Sequence, residues 1–485
     1  MTRAPIPAPV VASRRVIHWA IRAVALSAVL ASLVIAATTG GDAGVLTLPV
    51  LVEAVLVVVA LEVARASREE LRVDALTLFT AWETMRGCVT PVIIQYLGNG
   101  NAFYYRLGTY ADTELVLWLA VLFFVVVIAT RLSASIVGSA ARGSDPVALR
   151  VSGLGASRIS SWVLIGLGAV GLVIRFPSPG AVTGFLSGAI EQLQGTGEGA
   201  SSGIPLIGMV LRPMLFVGLV LLARDRRRAG RSVLPVVPFL VVAVVFGLAS
   251  YGLNRATVAY AIIGMVFVFA ERAAGALRGR HLAGLLGLLT AFFVLVGTLR
   301  SSLWVTRTGL DAPTLQLVPV LQSVIPYFGT PMQLAAAIPP VRVSDPFGMT
   351  SFVLSVLSPI PGAPDAARTA SSTALYNNIV YHSFVGKDQL LPTWFEGFLC
   401  FGVIGVIGCG LVVGVLLAVS DLWRRRTSTV LGSYAAALFV LWVAQAGVTS
   451  FNVIEQNVIY FIVPPLALSA GAALWPGRRS ERQLA

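Results

Sequence analysis

An all-α, polytopic transmembrane helix bundle is the fold class this sequence predicts, and three observations predict it. Of the 485 residues 56% are hydrophobic and only 12% charged, where a soluble domain carries roughly 25% charged residues. Apolar runs of membrane-crossing length, about 20 residues, recur along nearly the whole chain. The arginines gather between alternate runs, where they set orientation. Backbone inside lipid must satisfy its own hydrogen bonds, so each run is expected to be helical. A barrel of short alternating strands does not fit continuous apolar runs such as 115–130.

The first run, 16–38, follows Arg3, Arg14 and Arg15. It is too long for a secretory signal, contains Arg22 and lacks a small-residue cleavage site, so it reads as a retained span. Span two covers 45–64. Span three, 73–97, holds Glu83 and Arg86 three residues apart on one helical face. Charge at that depth is tolerated when paired, snorkelling or facing a wet cavity, and a structural ion pair is the plainest account. An aromatic loop with Tyr104 and Tyr105 leads into span four, 114–136, and a basic loop into span five, 159–176. A Gly- and Ser-rich segment precedes span six, 204–223, which ends in Arg224, Arg226, Arg227 and Arg228. Spans seven and eight, 233–250 and 256–270, form a hairpin tipped by Arg255, and span nine covers 282–299. Spans ten, eleven and twelve cover 393–419, 428–448 and 453–474. The division is therefore a bundle at 1–299, a large polar loop at 300–392, and a closing bundle with its tail at 393–485.

Net charge is +13. In a soluble protein this would suggest nucleic acid; here the arginines lie in short loops between spans, and no nucleic-acid partner is expected. Most of the 35 lysines and arginines fall on one side if both termini are inside, which makes about twelve spans with an exterior large loop self-consistent. Cys88, Cys400 and Cys409 lie in apolar stretches without metal-ligand spacing, so neither a disulfide framework nor a metal is expected. No Gly-rich phosphate loop with a following Lys and Ser or Thr is present, and no cofactor is expected.

The large loop is the one interruption long enough to fold on its own. It holds Arg300, Arg307, Arg342, Arg368 and Lys387, the chain's only lysine. Arg255, Arg300 and Arg307 each sit at the end of a span, at headgroup depth. A guanidinium there grips a phosphate bidentately, or snorkels to lipid headgroups. Such arginines beside aromatics suit an anionic amphiphile, whether a polyprenyl-diphosphate-linked glycan or an anionic phospholipid. Residues 371–381 read as a polar helical stretch with Tyr376 and Asn377, followed by His382. Thr393 after Pro392 is a helix start with Glu396 in its first turn. Glu396 either complements the helix dipole or, like His382, serves as general base toward a sugar hydroxyl. Asn452, Glu455 and Gln456 are placed to line the same cavity, Asn452 and Gln456 sharing a helical face.

Three local features resemble the oligosaccharide repeat-unit polymerases, the Wzy-type O-antigen polymerase family. They are the Ser250 to Arg255 hairpin before an apolar span, the large late exterior loop, and Pro392-Thr393-Trp394-Phe395-Glu396-Gly397-Phe398 running into Phe401-Gly402. This chain lacks the paired Arg- and Gly-bearing loop copies described for that family. The resemblance implies metal-independent glycosyl transfer at the outer face of the cytoplasmic membrane. A chain on undecaprenyl diphosphate is donor, a lipid-linked repeat unit is acceptor, and lipid diphosphate leaves. It implies Arg255, Arg300 and Arg307 for the diphosphate, His382 or Glu396 as base, and room for a chain-length regulator as partner. Two other readings stay open: another membrane glycosyltransferase or O-antigen ligase, and a transporter or flippase of lipid-linked sugars.

Overall fold

The computed structural model describes residues 8–39, 42–66, 73–97, 108–141, 161–175, 204–250, 262–266, 268, 334–343, 347–360, 363, 365–381, 391–427 and 430–474. Every regular element among them is helical. Five helices are long and apolar enough to cross a membrane: Arg14–Thr38, Gly44–Ala66, Tyr110–Ala134, Thr393–Arg426 and Phe451–Leu468. Shorter apolar helices stand at Ser161–Ile174, Leu234–Val244, Gly348–Leu357 and Val430–Val443. Span nine and most of span eight lie outside the described residues.

By internal contacts the chain forms two compact units. One comprises Met1–Ala148, Ala312–Leu422 and Val440–Gln456; the other comprises Leu149–Asp311, Trp423–Phe439 and Asn457–Ala485.

In the first unit apolar side chains face outward while charged ones are enclosed, the arrangement expected when lipid is the solvent. Leu30, Val34, Val55, Ile404 and Leu411 are exposed, whereas Glu53, Asp74, Glu83, Arg86, Glu396 and Asp421 are buried. The aromatic core is Phe79 set edge-on to Phe123 and Phe124 at 5.9 and 5.7 Å, contacts each worth about 0.5–1.5 kcal/mol beyond area. Around Asp74 a set of polar contacts fixes the helix entries. Asp74 caps the Ala75–Glu83 helix by accepting from the Thr77 N–H at 2.7 Å, and it pairs with Arg14 at 2.7 Å. Arg131 pairs with Asp421 at 2.9 Å, and Asp421 also accepts from the Ala75 N–H at 2.9 Å. Breaking a buried pair of this kind by removing one member costs about 3–5 kcal/mol.

Two departures from regular helix shape the interior of this unit. The run 73–97 is interrupted by a π-helical turn at Thr84–Val89, a local widening that recurs at functional sites. The run from Thr393 is not one straight span: Gly402 has φ 65° and ψ −149°, a conformation open essentially to glycine alone. In a straight helix Gly397 and Gly405 would stand about 12 Å apart. Here their backbones touch, so that a Cβ on Gly397 would lie 2.6 Å from the Gly405 carbonyl oxygen and from Cys409 Sγ. The short arm 393–401 therefore doubles back on the long arm 403–426. At 1.5 Å per residue the long arm measures roughly 36 Å, enough to cross the hydrocarbon core by itself.

The large loop is also more than a polar excursion. Four short helices occupy its described part: Ile338–Val343, Gly348–Leu357, Asp365–Thr369 and Ser372–Tyr381. On Gly348–Leu357 the apolar Met349, Val353 and Leu357, four residues apart, are exposed, while Ser351 and Ser355 are buried. A helix packed against a soluble core shows the reverse pattern.

In the second unit Ser161–Arg175 packs on Ile204–Leu211 and Pro213–Arg228 along a seam of small residues. Gly168 lies against Leu215, Gly171 against the Arg212 backbone, and Gly218 against the Ile165 and Ser161 backbones. Glycine seams let apolar helices approach closely where no hydrophobic drive joins them. Span six is split at Arg212, whose Nε donates back to the Gly208 carbonyl at 2.9 Å ahead of Pro213.

Candidate functional site

Glu396 lies in the first turn of the Thr393–Arg426 helix, as the Pro392-Thr393 start predicts. The Thr393 N–H donates to the carbonyls of Ala446 and Thr449 at 3.2 and 2.9 Å, and its hydroxyl donates to Ala446 O at 2.9 Å. The short arm is thus fastened to 444–450, where the Val430–Val443 helix gives way to turns before Phe451–Asn457. The broken Thr393–Arg426 helix and the turn between two further helices meet at this point.

The Glu396 carboxylate is fully enclosed. One oxygen accepts from the Ser372 hydroxyl and the other from the Phe451 N–H at 3.2 Å. Ser372 stands 2.5 Å from the Ser355 hydroxyl, and its own N–H donates to Ser355 Oγ at 2.8 Å. A single carboxylate therefore ties together two helices of the large loop, the doubled-back arm and the start of the Phe451–Asn457 helix. Among the described residues its hydrogen-bonding partners are all neutral.

Other expected site residues fall around this node. Tyr376 is buried and edge-on to Phe395, with ring centroids 6.4 Å apart. Asn377 is 1% exposed, and its Oδ1 has no hydrogen-bond partner among the described residues. Asn452 is half-buried and accepts from the Ser450 hydroxyl. Glu455, one turn further, is half-buried, and its buried Oε2 has no hydrogen-bond partner among the described residues. Gln456 is exposed. Arg255, Arg300, Arg307, His382 and Lys387 lie outside the described residues.

A second polar cluster adjoins the first. Arg86 forms the ion pair with Glu83, its other terminal nitrogen donates to the Gly447 carbonyl at 2.8 Å, and its guanidinium lies 5.0 Å from the centroid of Trp394. Trp394 Nε1 donates to the same carbonyl at 3.2 Å. The Glu83–Arg86 pair thus reaches the turn that holds Thr393, and it meets Trp394 on the same short arm that carries Glu396. Sequence reasoning located Glu83, Arg86 and Glu396 but missed Glu53, Ser355, Ser372 and the Phe451 N–H. The available signal for Glu53 was a carboxylate within an apolar run; Ser355 and Ser372 carried none. Among the described residues no group of three or more His, Cys, Asp and Glu is placed to hold a metal ion.

No protein-family model, no curated protein and no solved structure matches this chain.

Proposed function

We propose that this chain polymerises lipid-linked oligosaccharide repeat units at the outer face of the cytoplasmic membrane, as a glycosyltransferase with polyprenyl diphosphate as leaving group. The observation that carries the reading is the Glu396 node. It joins the Ser372–Tyr381 helix, which precedes His382 in the chain, to the broken Thr393–Arg426 helix and the start of the Phe451–Asn457 helix. Both Glu396 oxygens already accept hydrogen bonds, so its role is positioning, and His382 is assigned as the base. The acceptor hydroxyl loses its proton to His382 and attacks the anomeric carbon. The bond from that carbon to the diphosphate oxygen breaks, and the departing charge is met by Arg255, Arg300 and Arg307, whose guanidiniums supply the main catalytic contribution.

In this reading about twelve spans cross the membrane with both termini cytoplasmic, the large loop lies outside, and the doubled-back arm 393–401 re-enters from the outer side. A thiol-reactive, membrane-impermeant label at a cysteine substituted for the half-exposed Asn378 must then react on intact cells; reaction only after permeabilisation rejects this topology. Purified protein supplied with a lipid-linked repeat unit is expected to give a ladder of lengths, lost in His382→Ala and in the Arg255→Ala/Arg300→Ala pair. A single addition points instead to a ligase or another transferase.

A second reading, a transporter or flippase of lipid-linked sugars, is favoured by one specific feature. A broken helix lying next to buried charge, as the Thr393–Arg426 helix lies beside Arg86, is where transporters hold their substrates. Movement of the lipid-linked sugar across proteoliposomes without covalent change would select it.

A further inference from the structure

Glu53 sits within the Thr47–Ala66 helix and is 2% exposed, and among the described residues neither of its carboxylate oxygens has a hydrogen-bond partner. Its side chain is aimed at the π-helical turn. A Cβ added to Gly87 would stand 2.5 Å from its Cγ and 2.7 Å from its Cδ and Oε1. Glu83 gives one oxygen to Arg86, and its other oxygen has no partner among the described residues. It lies against Gly447, where an added Cβ would overlap the carboxylate. Both glycines are needed for these close approaches, and Gly87, which meets Glu53, lies one turn along the same helical run from Glu83.

The charge count does not balance. Glu53 and Glu83 face the single guanidinium of Arg86; the remaining titratable group in the turn is the Cys88 thiol. Among the described residues, neighbouring elements bring no second cation. On Ala8–Thr39, Arg14 is held by Asp74, Arg15 is exposed, His18 bonds Thr77 and Arg22 bonds Glu62. On Tyr110–Ala141, Arg131 is held by Asp421, and Asp112 and Glu114 stand in the first turns. An uncompensated buried charge among apolar helices is strongly disfavoured. We propose that Glu53 and Glu83 together hold one exchangeable monovalent cation, a proton or a sodium ion, inside the first unit. Two oxygens of Glu53 and one of Glu83 supply the donor set. Arg86 opposes a doubly charged ion and links occupancy to the 444–450 turn through the Gly447 carbonyl.

The cation site stands apart from the glycosyl-transfer reading, because its test needs no substrate. The full chain in bilayer nanodiscs is studied by infrared spectroscopy for a protonated-carboxyl C=O band, and by thermal unfolding as sodium chloride replaces choline chloride. A bound proton gives the band in sodium-free wild type. A bound sodium ion gives instead a rise in Tm with sodium that choline does not reproduce. Whichever signal the wild type shows is expected to be lost in Glu53→Gln and in Glu53→Met, and retained in Glu62→Gln, an exposed position on the same helix. Neither signal in the wild type, or a signal that survives both Glu53 substitutions, overturns the proposal.

Discussion

Replacing Gly402 by alanine isolates the reversal in the Thr393–Arg426 helix. No heavy atom lies within 4 Å of a Cβ built on Gly402, so the substitution introduces no clash and its effect is conformational. An alanine held at φ 65° and ψ −149° costs about 1–3 kcal/mol. Gly408 provides the internal control, because it lies in the regular part of the long arm and a Cβ there also meets nothing within 4 Å. Gly408→Ala is expected to stabilise by about 0.5–1 kcal/mol, the ordinary helix-interior preference for alanine over glycine. The two substitutions should thus shift stability in opposite directions, which removes most systematic error. Reversible unfolding of the full chain in mixed micelles, followed by tryptophan fluorescence, measures both. If Gly402→Ala is as stabilising as Gly408→Ala, residue 402 has helical backbone, the arm 393–401 does not double back, and the Glu396 node does not form.

Removing Glu396 with alanine deletes acceptors for Ser372 and the Phe451 N–H; at about 0.5–1.5 kcal/mol per hydrogen bond the loss should exceed that of Glu396→Gln, which keeps an acceptor, in the same assay. Arg86→Met leaves the enclosed Glu83 without its cation, for an expected cost of about 3–5 kcal/mol. The double variant with Glu83→Gln should recover part of this, measured as a coupling energy in a double-mutant cycle. Val353→Lys places a charge on the exposed face of the Gly348–Leu357 helix. If that face meets hydrocarbon, destabilisation reaches up to about 3 kcal/mol, whereas a water-facing surface would register within about 0.5 kcal/mol.

The long helices were legible because their signal is an average. Runs 16–38, 45–64 and 114–136 are apolar almost throughout, and helices occupy them at Ala8–Thr39, Thr47–Ala66 and Tyr110–Ala141. The same averaging concealed Glu53, one carboxylate among valines and leucines. Helix breaks were illegible for another reason. Gly402 is one of 47 glycines, and nothing local distinguishes it from Gly408; the reversal depends on contacts made by Gly397, Gly405 and Cys409 with one another. The start at Thr393 and the Ser372–Tyr381 helix were readable from capping and composition. That Ser355, Ser372 and Glu396 converge was not, since their hydrogen bonds join positions 17 and 24 residues apart.

The Gly348–Leu357 helix carries an implication about approach routes. Its hydroxyl-bearing side reaches Glu396 through Ser355 and Ser372, while its opposite side is greasy and open. A single helix diameter, about 10 Å, thus separates the enclosed carboxylate from whatever surrounds the molecule there. If lipid chains do so, this helix is the whole thickness of the wall there, greasy on its outer side and hydroxylated toward the carboxylate.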